Sequence, residues 1–251
     1  MKPIKLYPLQ GNKSYIFSDG CKLANDSCIL ADFISKQKEN ILSSRNDERE
    51  LSFVVCAGVG DGALLCDGAS AHFFFILEAN DAAFICGGKK NVAIDIADES
   101  CFNSIKVKNG DYFTVPAGTV YSVGKGISYV EVYSKSTSVH IINSNAELKN
   151  ISFSSDMPLL KKPAMKNERD GFSVKVLSAL ESFTVAQITV VGTYQNSIGS
   201  SFRFIFCLDG AGEFKHSEGK FDLRAGDCYL LPATMGDFSI KGGVDFLIFN
   251  R

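Results

Sequence analysis

Histidine is scarce in this chain, with three in 251 residues. His72, His140 and His216 lie far apart, and no pair has the spacing of a known metal-binding motif. No C-x-x-C pair occurs among the eight cysteines, so a zinc ribbon or a dithiol redox motif is not indicated. There is no basic excess: Lys plus Arg is 26 against 28 for Asp plus Glu. A nucleic-acid binder is not expected from that balance. No apolar run approaches the roughly 18 residues of a membrane span. The first residues, MKPIKLYPLQGNKSYIF, lack the apolar core and small-residue cleavage site of a signal peptide. G-x-G-x-x-G, Walker, G-x-S-x-G and H-E-x-x-H patterns are also missing. Residues 58–62, GVGDG, lead into strand-like sequence and not into the helix that a nucleotide loop requires.

Hydrophobic residues make up 45% of the chain and charged residues 22%, the balance of a water-soluble globular protein. Without a secretion signal the cysteines are read as reduced and mostly buried, which points to a cytoplasmic protein. Residues 29–42, ILADFISKQKENIL, place Leu30, Phe33, Ile34, Ile41 and Leu42 near one helical face. Asp26 or Ser27 is the candidate cap. Residues 43–50, SSRNDERE, read as a loop. From residue 51 the pattern becomes short apolar runs separated by glycine, as in AHFFFILEAN and FRFIFCLDGAGEFK. Many short strands with one helix predict a mostly β sandwich or barrel.

One internal repeat stands out. Residues 109–117 read NGDYFTVPA and residues 225–233 read AGDCYLLPA. Glycine permits a tight turn, and aspartate can hydrogen-bond its own backbone there. An alternating strand follows, and proline ends it because it has no ladder donor. Repetition at about half the chain length indicates two copies of one unit. The expected division is residues 1–145 for a small N-terminal helical element plus a first barrel, 146–170 for a connecting segment, and 171–251 for a second barrel.

Gly110, Pro116 and Gly118 fall on the spacing of the second cupin signature, Gly-x5-Pro-x-Gly-x2-His, with Tyr121 at the histidine. The segment IKVKNGDYFTVPAGTVYSVGKGISYVEV and the C-terminal GKFDLRAGDCYLLPATMGDFSIKGGVDFLIFNR resemble the type I mannose-6-phosphate isomerases, in their short bacterial form. That resemblance implies two cupin, or jelly-roll β-barrel, domains. It also implies a zinc ion held by a Gln or Lys, a His two residues later, a Glu opening the next strand, and the His of the Pro-x-Gly-Thr-x-His motif. On this chain those positions fall on Leu64, Cys66, Ala71 and Tyr121. A family lysine falls at about Phe53 and a substrate arginine on Ile141. Glu131 alone keeps its identity.

The expected site is therefore a degenerate one, a pocket at Leu64, Cys66, Ala71, Tyr121 and Glu131 with no metal ligand and no cofactor. Glu131 and Tyr121 are the only candidates for acid/base work, and a phenol is a poor base unless strongly tuned. Cys66 beside Asp67 could take a soft metal, but a buried cysteine is more often a small hydrophobe. His72 adjoins Ala71, so alternation along the strand is expected to turn it away from an interior Ala71. His216, in EFKHSEGK, reads as a solvated hairpin turn. A buried Glu131 needs a partner, for which Lys125, Lys135 and Tyr121 are the candidates. The leading expectation is a non-catalytic or altered-function homologue with a sugar or sugar-phosphate ligand. An active aldose–ketose isomerase holding zinc through unrecognised ligands is the first alternative, and a dimeric structural or regulatory cupin the second. A structural role predicts a barrel plugged by Phe73, Phe75, Tyr121 and their neighbours.

Overall fold

The repeated Gly-Asp turn is built the same way twice in the computed structural model. Asp111 accepts at Oδ2 from the Lys108 N–H (2.9 Å) and returns its own N–H to the Lys108 carbonyl (3.0 Å). Asp227 does the same with Arg224, at 2.9 and 3.0 Å. The glycines between have φ of 82° at Gly110 and 84° at Gly226, the left-handed region that favours glycine. After each strand the proline carbonyl closes a second turn, from Thr119 to Pro116 and from Met235 to Pro232. Residues 1–7, 13–24, 28–42, 53–90, 92–134, 139–148 and 165–250 are described by the structure. The candidate caps Asp26 and Ser27 and the loop 43–50 lie outside them.

The chain forms two compact units, one of Val55–Lys161 and one of Met1–Val54 with Lys162–Arg251. This differs from the expected division, because residues 1–54 group with the second barrel and not with the first. Backbone hydrogen bonds explain it. The strand Ile4–Tyr7 pairs with Cys228–Leu231. The carbonyls of Asn40, Ile41 and Leu42, at the end of the helix, accept from Thr234, Ala233 and Phe202. Those carbonyls have no intrahelical donor, so the second barrel supplies it. The helix runs Leu30–Ile41, one residue shorter at each end than the sequence pattern, and departs from helical geometry at Gln37. Of the 146–170 segment, Met165–Arg169 is a strand paired with Phe172–Ala179, and residues 149–164 lie outside the described ones.

The first barrel, in Val55–Lys161, has two sheets. One runs Val139–Ile141, Leu65–Asp67, Val120–Val123, Ala83–Gly88, Phe102–Lys106. The other runs Phe53–Val59, Ile127–Ser134, His72–Ala79, Tyr112–Val115. Alternation gives each strand an inner face, and the inner faces are aromatic: Phe74, Phe84, Phe113, Tyr121 and Tyr129 share one buried cluster. Phe84 meets Phe113 edge-on at 4.6 Å between centroids, a favourable aromatic geometry. The plug is thus Phe74 and its neighbours. Phe73 and Phe75 are buried on the opposite face of their strand.

The second barrel is a ten-stranded sheet organised around two long strands. Arg203–His216 pairs with Gly236–Asn250 along almost its whole length, with a register shift between Cys207 and Asp209. Its interior holds Tyr194, Ile205, Phe214, Phe238 and Phe246. A separate aromatic cluster joins Phe17, Phe53, Phe202, Phe204 and Phe249, with Phe17 stacked on Phe204 at 4.7 Å. No helix among the described residues is long and apolar enough to cross a membrane. All eight cysteines are free.

Candidate functional site

The polar groups of the first barrel converge on His72. Its Nε2 lies 2.8 Å from Asp67 Oδ2 and its Nδ1 lies 2.7 Å from Glu131 Oε1. All three residues are buried, with 2% exposure or less. The Tyr121 hydroxyl donates to the same Glu131 Oε1 at 3.2 Å, and the Cys56 thiol donates to Oε2 at 3.5 Å. Asp67 Oδ1 accepts from the Ala69 N–H at 2.8 Å. Tyr133 stacks on the imidazole at 5.0 Å. Asp67 and Tyr121 come from one sheet; His72, Glu131 and Cys56 come from the other. The network therefore fastens the two sheets together across the interior.

Strand register decides who takes part. His72 opens its strand and shares a face with Phe74, which stands opposite Glu131. Ala71 precedes the strand and is not on that inner face. The expectation that Ala71 points inward and His72 outward is thus reversed. A shift of one residue exchanges the two faces of a strand, and the sequence around 71–72 does not fix where the strand starts. The neighbouring strand corrects Leu64 and Cys66 in the same way. Tyr121 pairs with Leu65 and Val120 with Cys66, so Leu65 and Asp67 face the barrel interior. Leu64 and Cys66 pack in a different cluster, with Val120 and Ile142. Burial pushes the Cys66 thiol up to about 11, so the metal-free side chain is a protonated thiol at neutral pH.

Other expected positions are scattered. Ile141 is 59% exposed on the edge strand Val139–Ile141. Phe53 is buried in the aromatic cluster of the other unit. Lys125 is exposed, and Lys135 lies outside the described residues. Of the three candidate partners of Glu131, Tyr121 makes the contact. His140 is exposed. His216 is half-buried, and its Nδ1 accepts from the Glu218 N–H at 3.2 Å. Cys56 and the pairing of His72 with two carboxylates were not legible, because four different strands contribute them.

The electrostatics follow from the geometry. An ionised carboxylate only accepts hydrogen bonds, so each His72 nitrogen facing one carries its hydrogen. Burial lowers the His72 pKa, but the hydrogen bonds and charges of Asp67 and Glu131 outweigh it and the net shift is upward. Burial and the Glu131 charge push the Tyr121 phenol far up, so it stays a donor. The geometry suits an imidazolium that donates to Asp67 and Glu131. Among the described residues no group of three or more His, Cys, Asp or Glu is arranged to hold a metal ion.

Residues 173–249 match the family model for the cupin domain of mannose-6-phosphate isomerase. The chain is 23% identical over 157 residues to the mannose-6-phosphate isomerase ManA of Bacillus subtilis, covering 57% of this chain and 50% of that protein. It is 26% identical over 155 residues to the mannose-6-phosphate isomerase of Streptococcus mutans, covering 57% and 49%. The chain thus spans about half the length of the curated relatives it matches. The crystal structure of the mannose 6-phosphate isomerase from Bacillus subtilis superposes with a TM-score of 0.89 at 17% identity, covering all of both chains. At that identity the likeness establishes the fold.

Proposed function

We propose that this chain, which belongs by fold and by the sequence of its second barrel to the cupin-type mannose-6-phosphate isomerase family, is a non-catalytic member whose first barrel has exchanged a metal centre for a closed ionic network. The observation that carries the reading is the engagement of both His72 nitrogens, at 2.8 and 2.7 Å, by Asp67 and Glu131. A metal-ligating imidazole must present an unprotonated nitrogen, and both nitrogens of this one are engaged by carboxylates.

The zinc implied by the family does not fit these residues. A catalytic zinc needs about three protein ligands and an open position for water or substrate. The inner positions are Leu65, Asp67, His72, Tyr121 and Glu131. Leu65 has no donor atom, and the Tyr121 phenol holds its proton. The carboxylates are taken up by the imidazolium, and substrate would have to displace the buried Phe74, Phe84 and Phe113. Removing the Lewis acid removes the means of polarising a sugar carbonyl, and the raised phenol is no substitute base. The network serves instead to hold the sheets in one register. Buried, fully paired polar networks specify a unique core when every member is satisfied.

The test is metal content of untagged protein, with a mannose 6-phosphate to fructose 6-phosphate assay on the same sample. The expected result is no stoichiometric metal and no turnover, with or without added zinc. Turnover that a chelator abolishes would overturn the reading in favour of an active isomerase.

A further inference from the structure

At one mouth of the second barrel three strand segments lie side by side. Thr193–Ile198 and the end of Arg203–His216 both pair with the start of Gly236–Asn250. The register sets Gln195, Ser239 and Lys215 in one row across the three strands, and Asn196, Phe238 and His216 in the next. All six residues line one cavity of about 900 Å³, and Ser217, Met235 and Asp237 line it too. That size falls in the range of small-molecule sites, about 300–1,000 Å³.

The lining is polar, and much of its bonding capacity is open. Among the described residues the side chains of Gln195, Lys215, Ser217, Asp237 and Ser239 make no hydrogen bond or ion pair with the protein. Asn196 is committed locally: it donates to the Tyr194 hydroxyl and accepts from the Ser197 N–H. Met235 and Phe238 are buried and bring apolar surface to the same cavity.

The charge of the lining balances. Lys215 and Asp237 offset each other, and they are not paired together. Burial holds the His216 pKa below its ordinary value, against the charge of Glu218 and with those of the Met1 ammonium and Lys2. The imidazole is therefore neutral at neutral pH. Its Nδ1 accepts from the Glu218 N–H at 3.2 Å, so Nε2 carries the hydrogen and donates. The Met1 ammonium is itself taken up by Glu218, at 3.3 Å. A lining without net charge does not select a phosphate or a carboxylate. It offers donors, acceptors and an apolar patch together, which is what a hydroxyl-rich carbon skeleton requires, since each hydroxyl both donates and accepts.

We propose that this mouth of the second barrel binds a neutral polyhydroxylated compound, a saccharide or an open-chain polyol. Ligand hydroxyls donate to Asp237 and to the Gln195 oxygen, and accept from the Gln195 amide, Lys215 and His216 Nε2. Ser217 and Ser239 serve in either sense, and the C–H surface of the ligand meets Phe238 and Met235. The assignment is independent of the fate of the first barrel, because it uses no residue of Val55–Lys161.

The test is a nitrogen-15 amide NMR titration of the full chain with four probes: glucose, maltose, sorbitol and glucose 6-phosphate. The expected result is that at least one neutral probe shifts the amides of residues 195–197, 215–217 and 235–239 saturably. Glucose 6-phosphate should bind there no tighter than the best neutral probe. Maltose against sorbitol tells a sugar ring from an open chain. Asp237→Ala is expected to weaken binding about tenfold, the order of a lost hydrogen bond to a charged group. Gln195→Ala should weaken it about threefold. Both positions are exposed, so the fold should tolerate the changes, which the amide spectrum checks. Glu181→Ala, exposed and outside the cavity, should leave the affinity unchanged. Absence of saturable shifts at those amides with all three neutral probes overturns the proposal. So does tighter binding of glucose 6-phosphate there, or unchanged affinity in Asp237→Ala.

Discussion

The two barrels handle charge in opposite ways. In the first, a histidine, two carboxylates, a phenol and a thiol are sealed inside and satisfy one another. In the second, the interior is apolar and aromatic, and the charged and polar side chains gather at one mouth around a cavity. A sealed ionic cluster holds a fold together because each charge has a partner, and the same pairing leaves nothing for a ligand. A half-buried cation such as Arg203, with no ion pair or hydrogen bond among the described residues, contributes little to the fold and has its bonding capacity to spare. Burial alone does not mark a functional site; burial together with an unmet bond does.

The largest effect should come from removing the cation of the sealed network. His72→Leu removes the cation that both buried carboxylates contact, and should destabilise the protein by roughly 3–5 kcal/mol in urea unfolding at neutral pH. Adding Asp67→Asn and Glu131→Gln to that variant should restore much of the loss. A small effect of His72→Leu would mean the network is not sealed. Tyr121→Phe removes one donor to Glu131 and should cost about 1–2 kcal/mol by the same measurement.

The pH dependence has a defined sign. The His72 pKa is raised in the folded state. Its contribution is therefore fully present below the unfolded value of about 6.5 and is lost as pH rises through the raised folded value. Unfolding free energy should decline across that window, and the decline should vanish in the triple variant. A wild-type profile that rises there would contradict the assignment. The smallest effect belongs to the second barrel. Arg203→Met should leave stability unchanged or raise it, since a desolvated charge without a partner is removed and the aliphatic stem is kept. A loss as large as that of His72→Leu would erase the contrast between the barrels.

Much of the fold was legible because its signals are local. Gly110–Asp111 and Gly226–Asp227 announce their turns within a few residues, and Pro116 and Pro232 mark where the strands stop. The grouping of residues 1–54 was not legible. It rests on Ile4 meeting Leu230 and Ile41 meeting Ala233, contacts far apart in sequence. Within the site, Tyr121 and Glu131 could be placed because their strands register without gaps. His72 could not, because the run of Ala71, His72 and Phe73 shows no alternation to fix a face. Asp67 holds a local turn, accepting at Oδ1 from the Ala69 N–H. Its second oxygen performs the role that the sequence conceals.

The most direct test of the sealed network is nitrogen-15 NMR of the His72 imidazole at neutral pH, before and after addition of zinc. The account predicts that both ring nitrogens carry hydrogen, with the chemical shifts of an imidazolium, and that zinc leaves them unmoved. A ring nitrogen without hydrogen that shifts on zinc addition would contradict it, and would show a histidine free to bind metal.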